Sequence, residues 1–313
     1  MLSIVVPCFN EEETIRHFVD AVDQELAQST HEIEYIFVDD GSKDQTLTVL
    51  KKLNAERPTT IQYLSFSRNF GKEAALYAGL KQAQGDLVTV MDADLQDPPE
   101  LLPQMIAMIE EKNLDCVGTR RKNRVGEPPI RSFFSKAFYK IMNQFSETKM
   151  IDGVRDFRLM TRPMVDAVLE MTEYNRFSKG IFSWVGFETE YIAYENRERV
   201  AGETSWSFWG LFKYSLDGIV NFSEAPLMFA SFVGALSCVL AGIALIFIVV
   251  RALLFGDPTT GWPSIVSIML FMGGLQLLCL GIIGKYIGKI FLETKKRPIY
   301  LVREKSKSLQ STE

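Results

Sequence analysis

The sequence predicts an α/β domain built on a mostly parallel sheet, followed by two helices long and apolar enough to cross a membrane. Three observations carry that reading. Up to about Gly118, short β-branched runs alternate with helical patterns, the signature of a sheet covered by helices. No charged residue occurs from Pro226 to Val250 or from Trp262 to Gly284, and each stretch exceeds the roughly 20 apolar residues that cross about 30 Å of hydrocarbon. An acidic side chain also follows each of three predicted strands, where such a sheet collects its ligand.

The expected strands are Ser3–Pro7, Ile33–Val38, Ile61–Phe66, Leu87–Met91 and Cys116–Gly118. Between them helices are expected over Glu11–Gln28, Asp44–Asn54, Lys72–Gln84 and Pro99–Glu111, the second with Asp44 as its N-cap. Ile130–Phe145 places Ile130, Phe133, Phe134, Ala137, Phe138, Ile141, Met142 and Phe145 at three-four spacing, with Arg131, Lys136 and Lys140 elsewhere. That describes a basic amphipathic helix of the kind that lies in a membrane interface. The apolar stripe alone does not separate this from a helix packed on the sheet. Aromatic residues from Trp206 to Leu216 favour headgroup depth just before the first span.

The expected division is a domain over 1–205, a juxtamembrane helix over 206–224, and an anchor over 225–313 with spans at about 226–252 and 262–288. Net charge is −5, yet Lys285–Glu313 holds eight basic and three acidic residues. The chain is therefore no nucleic-acid binder by charge, and the basic tail reads as a positive-inside signal attracted to anionic lipid. Both termini are expected in the cytoplasm, with Phe255–Trp262 on the far side. No secretory signal is expected before the first strand. Cys8, Cys116, Cys238 and Cys279 lack paired spacing and read as small apolar fillers, and His17 and His31 are assigned no role.

Val90-Met91-Asp92-Ala93-Asp94-Leu95-Gln96-Asp97-Pro98-Pro99 is the most informative stretch. Two carboxylates one residue apart at a strand end can both reach a divalent ion, and hard oxygen ligands suit Mg²⁺ or Mn²⁺. A lone Asp-X-Asp is as often a turn. Here Val6-Pro7-Cys8-Phe9-Asn10-Glu11 and Phe37-Val38-Asp39-Asp40-Gly41-Ser42 accompany it. Carboxylates clustered at one sheet edge repel unless cations or donors offset them, which a site for base, ribose and metal-diphosphate explains. Phe70-Gly71-Lys72 lacks the Gly-X4-Gly-Lys-Ser/Thr spacing and is not read as a phosphate loop.

These motifs resemble those of the family-2 inverting glycosyltransferases with a GT-A fold. Asp156-Phe157-Arg158-Leu159-Met160, Ala201-Gly202-Glu203-Thr204-Ser205-Trp206 and the two C-terminal spans narrow the resemblance to the polyprenyl-phosphate glycosyltransferases, such as dolichol-phosphate mannose synthase and bactoprenol glucosyltransferases. The resemblance implies nucleotide contacts at Pro7, Phe9, Glu11, Val38, Asp40, Asp92 and Ala93, and metal contacts at Asp92, Asp94 and Gln96. It implies a lipid-phosphate cradle of Arg120, Arg131 and Arg199, with Asp94 catalytic and Asp156 in the place of the proposed base. Relatives often carry Lys where Ser205 stands, so Arg197 or Lys213 is expected to replace it. The Gln-X-X-Arg-Trp element of processive synthases is absent, which argues against polymerisation.

The implied partners are a nucleotide-sugar donor, a polyprenyl phosphate acceptor and the lipid bilayer. A homo-oligomer, a flippase and a downstream glycosyltransferase of the same pathway are further partners that it allows. Two rivals are weighed: transfer to another membrane lipid, and a non-catalytic nucleotide-sugar-binding adaptor.

Overall fold

The structure is a computed structural model that describes residues 1–122, 153–195, 220, 223, 225–255 and 261–307. The expected helix at 130–145, the aromatic segment 206–216, and Arg131, Arg197, Arg199, Ser205 and Lys213 lie outside the described residues.

In chain order the elements are β1 (Leu2–Cys8), α1 (Ile15–Glu25), β2 (Ile33–Asp39), α2 (Thr46–Glu56), β3 (Ile61–Phe66), α3 (Lys72–Gln82), β4 (Leu87–Val90), α4 (Leu102–Lys112), β5 (Cys116–Arg121) and β6 (Val154–Thr161). There follow α5 (Arg162–Glu170), α6 (Ser178–Trp184), β7 (Thr189–Tyr194), α7 (Ala225–Phe255), α8 (Trp262–Thr294) and β8 (Val302–Lys305). The strands form one eight-stranded sheet in the order β7-β5-β6-β4-β1-β2-β3-β8. β4, β1, β2 and β3 are parallel, while β6 and β8 run antiparallel to their neighbours β4 and β3. This is the α/β class that the alternating pattern predicts.

Alternation along the strands sorts side chains into two apolar layers. Ile4, Val6, Tyr35 and Phe37 face α1, α2 and α4 with Phe18, Val22, Leu50 and Met105, whereas Val5, Ile36, Val38, Leu64 and Phe66 face α3, α5 and α6. Helix α3 can approach closely because it presents Ala74, Ala75, Ala78 and Gly79. A Cβ at Gly79 would clash with Val5 Cγ1 and come within 3.3 Å of Val38 Cγ2.

Two boundaries differ from expectation for a local reason. Helix α1 starts at Ile15, not Glu11: residues 11–14 form a turn in which the Thr14 and Ile15 N–H groups both donate to the Glu11 carbonyl, while the N–H groups of Glu11 and Glu12 donate to Thr46 Oγ1 and Asp44 Oδ2 in the neighbouring loop. Asp44 does hold the start of α2, accepting the Thr46 N–H at 3.0 Å, but from one residue outside the N-cap Gln45.

Helices α7 and α8 have 31 and 33 residues, about 46 and 50 Å at roughly 1.5 Å per residue. Their most apolar windows are Ala225–Ile248 and Phe271–Thr294, and neither is buried in the protein. Phe232, Ile246, Phe247, Leu253, Phe271 and Leu277 are all exposed, a surface that lipid would cover. The C-terminal half of α8 is tied both to Ser223, just ahead of α7, and to the sheet domain. Tyr286 Oη donates to the Ser223 carbonyl at 2.7 Å, Lys289 Nζ to Asn175 Oδ1 at 3.1 Å, and Glu293 Oε1 accepts the Tyr174 N–H at 3.0 Å.

Beyond Arg297 the basic tail adds a strand that the sequence reading did not expect. After α8 the chain returns to the sheet, where β8 pairs with β3. Tyr300 stacks on Phe66 with ring centroids 4.9 Å apart, Ser67 N–H donates to the Leu301 carbonyl at 2.9 Å, and Lys51 meets Glu304 at 2.7 Å. The four cysteines are free, Cys8 and Cys116 in the core.

Candidate active site

The carboxyl ends of β1, β2 and β4 share one sheet edge, and the antiparallel β6 starts there. Its register against β4 pairs Leu87 with Thr161 and Val90 with Arg158. Continued two residues, the register sets Asp156 opposite Asp92. Two carboxylates so placed repel unless a cation separates them.

That cation is Lys72, the first residue of α3. Its Nζ lies 2.7 Å from Asp92 Oδ1, 2.8 Å from Asp92 Oδ2 and 2.8 Å from Asp156 Oδ2. Burial alone would raise the Asp156 carboxyl, but attraction to Lys72 and then Lys179 overrides it and holds the group well below the usual carboxylate range. Burial pulls the Lys72 ammonium down, and Asp156 and Asp92 together drive it above its ordinary value. Lys179, on α6, has its ammonium pushed down by burial against the pull of Asp156.

The loops that follow β1 and β2 are stitched together. Asn10 N–H donates to Ser42 Oγ at 2.9 Å, Asn10 Oδ1 accepts the Lys43 N–H at 2.9 Å, and Glu12 Oε2 accepts the Gln45 N–H at 2.6 Å. Asn10 takes a left-handed φ of 57° to do this. Asp39 and Asp40 are both buried. Asp39 accepts Ser42 N–H and Ser65 Oγ–H, while the two oxygens of Asp40 accept the N–H groups of Phe70 and Gly71 at 2.6 and 2.9 Å. Burial pushes the Asp40 carboxyl up, opposed by those two N–H groups. Asp40 thus fixes the loop that delivers Lys72.

Beyond β4, Asp94 Oδ1 accepts the Gln96 N–H at 3.1 Å, and Leu95 between them is left-handed with φ 55°. Arg155 then ties this turn to β6: its Nε is 3.2 Å from Asp97 Oδ1 and its Nη2 is 3.4 Å from Gln96 Oε1. Tyr194 Oη also donates to Asp97 Oδ1 at 2.9 Å, which accounts for the burial of Asp97 at 1 % exposure. Burial pushes the Asp97 carboxyl up, with Arg155 opposing. No group of three or more His, Cys, Asp or Glu able to hold a metal is present among the described residues. Asp92 and Asp94 are hard oxygen donors that fit Mg²⁺ or Mn²⁺, an ion that completes its shell with substrate phosphate and water.

Residues 3–169 match the family model described as Glycosyl transferase family 2. The chain belongs to glycosyl transferase family 2. A relative in Shigella phage SfX, named bactoprenol glucosyl transferase, is 40% identical over 304 residues, covering 97% of this chain and 99% of its own. The prophage bactoprenol glucosyl transferase homolog of Escherichia coli (strain K12) is 39% identical over 306 residues, covering 98% and 99%. CsbB of Bacillus subtilis (strain 168), named only as a glycosyltransferase, is 44% identical over 304 residues, covering 97% and 92%.

Within this family-2 domain, Pro7, Phe9, Glu11, Asp40, Asp92, Asp94, Gln96 and Asp156 all come to one edge through β1, β2, β4 and β6. Phe9 is the most open of the residues expected to wall the base, at 39 % exposure. The side chains of Val38 and Ala93, expected at the nucleotide, are buried. Arg120 is exposed near the end of β5, paired in register with Val154 of β6. The reading of the sequence missed Lys72, Arg155 and Lys179. The Phe70-Gly71-Lys72 segment lacks the phosphate-loop spacing; the usable signal for Lys72 is a lysine directly after a glycine at a helix start, where a cation opposes the helix dipole.

Proposed function

We propose that this glycosyltransferase moves a sugar, from a UDP-linked hexose or N-acetylhexosamine, onto undecaprenyl phosphate with inversion, giving a lipid-linked donor for envelope glycosylation. The observation that carries the reading is likeness at 39–40% identity along 97–98% of the chain to proteins named as bactoprenol glucosyl transferases. That span includes the apolar helices and the returning tail as well as the sheet.

In a single in-line displacement, a phosphate oxygen of the lipid bonds to the anomeric carbon while the bond to the diphosphate breaks. Nucleoside diphosphate leaves with the electron pair. A phosphate monoester with a second pKa near 6 is largely dianionic at neutral pH, so the acceptor needs little deprotonation. Asp156, held ionised by Lys72, then orients the sugar or acceptor and need not take a proton. Asp92 and Asp94, with Gln96 beside them, would hold Mg²⁺ or Mn²⁺, which when bound supplies positive charge to the leaving diphosphate. Lys179 and Arg155 add cations around the two carboxylates. Arg120, Arg131 and Arg199 are proposed to meet the lipid phosphate.

The test is incubation of the full chain in lipid with a panel of nucleotide-sugars, offering undecaprenyl phosphate and diacylglycerol in parallel, followed by mass analysis of the products. A hexose or N-acetylhexosamine on undecaprenyl phosphate is the expected mass. A glycosylated diacylglycerol alone would move the assignment to the neighbouring class of lipid glycosyltransferases, and no product with any donor would favour an adaptor.

A further inference from the structure

Lys72 breaks a local rule. It opens α3 at the positive end of the helix, behind Gly71, whose φ of +97° suits glycine, and without a side-chain cap. Charge at that spot is unfavourable for the helix alone, so the site it serves must account for it. What it serves is Asp92, both of whose oxygens face the ammonium at 2.7 and 2.8 Å, and Asp156 at 2.8 Å. The lysine is not free to drift away. Asp40 grips the N–H groups of Phe70 and Gly71, and Glu73, the next residue, accepts the Ser178 N–H at 2.9 Å.

We propose that Lys72 is a resident cation that closes the metal site until the donor arrives, so that the divalent ion is taken up only together with the nucleoside diphosphate. The inference rests on the metal reading given above. A bare divalent ion approaching Asp92 meets an ammonium already bound across that carboxylate and is repelled by it. The donor changes the balance by adding diphosphate oxygens, whose negative charge offsets the ammonium and supplies further hard ligands. Asp92 then passes from Lys72 to the ion, and the ammonium keeps Asp156 as its partner. Metal and nucleotide therefore bind with positive coupling, and Lys72 is a positioning residue that sets its size.

The experiment follows Mn²⁺ alone, by the paramagnetic resonance signal of the unbound ion, on the full chain in detergent with and without UDP. Mn²⁺ held by UDP in solution is subtracted. Wild type is expected to bind Mn²⁺ weakly without UDP and much more tightly with it. Lys72→Met should bind Mn²⁺ alone about tenfold tighter than wild type, and its gain on adding UDP should shrink by a similar factor, within the usual range of coupling between sites. Lys72→Gln, which keeps a polar group against both carboxylates, guards against a folding defect in the methionine variant. Lys72→Arg should restore the wild-type pattern. A Lys72 that is only a structural ion pair predicts no gain in bare Mn²⁺ affinity; both neutral variants binding Mn²⁺ no tighter than wild type, with UDP-dependent uptake intact, overturns the proposal and leaves the metal reading standing. No Mn²⁺ uptake by any of the proteins with UDP present sinks the metal reading itself, and this inference with it.

Discussion

Asp156 is the carboxylate whose charge state is best defined by its neighbours. Its folded value is depressed by Lys72 below the unfolded one, near 3.9. The stabilisation this supplies is complete above the unfolded value and is lost as pH falls through the folded one. Transfer rates between about pH 5 and 8 should show no step from this group, and Asp156→Asn should lower the rate by a similar factor throughout. An acid limb that disappears in Asp156→Asn would show that it titrates during turnover. Asp94→Asn is expected to cost roughly a hundredfold or more in transfer with the fold retained, because an asparagine oxygen can still accept the Gln96 N–H. Near-normal turnover at low metal would refute that role. Asp92, Asp94 and Asp156 were legible because each sits in a short motif at a strand end. Lys72 and Arg155 were not, since their meaning lies in partners 20 to 84 positions away.

At the level of elements, the parallel strands announced themselves as apolar runs bounded by turns, and β1 to β5 lie close to where they were expected. β8 did not. Its sequence, Val-Arg-Glu-Lys, is a short charged strand, which is how sheet edges are commonly protected, and beside a membrane span it reads as a basic tail. Its contacts are unequal. Lys51 and Glu304 are 45% and 37% exposed, so Glu304→Ala should change stability by no more than about 1 kcal/mol. Tyr300 stacks on the buried Phe66, and Tyr300→Ala should cost on the order of 2 kcal/mol. Thermal unfolding of the two variants in the same detergent checks the order; equal effects would mean that the edge is held by its main-chain ladder alone.

At the level of the molecule, the sheet domain and the segment after α8 must lie on one side of the bilayer, because β8 pairs with β3. Cytoplasmic nucleotide-sugars make that side the cytoplasm in our proposal. Label added from outside the cell should reach an engineered Thr259→Cys and miss Lys307→Cys, which is exposed on the sheet side; the reverse pattern would place the site away from its donor.

The same pairing has a consequence for how the protein is made. Tyr63 and Ser306 bond across 243 positions of chain, so the ribosome delivers the partner of β3 only after both apolar helices have been synthesised. Until then the edge of β3 lacks its neighbour, and Phe66 lacks the ring that covers it. N-terminal segments generally fold first during translation, and an uncovered strand edge is a site for mispairing and proteolysis. A chain in which only one of the two helices crosses would hold its tail on the wrong side and could not finish the sheet. Completion of the sheet thereby requires that the two helices cross as a pair, and a half-inserted chain is left with an open edge.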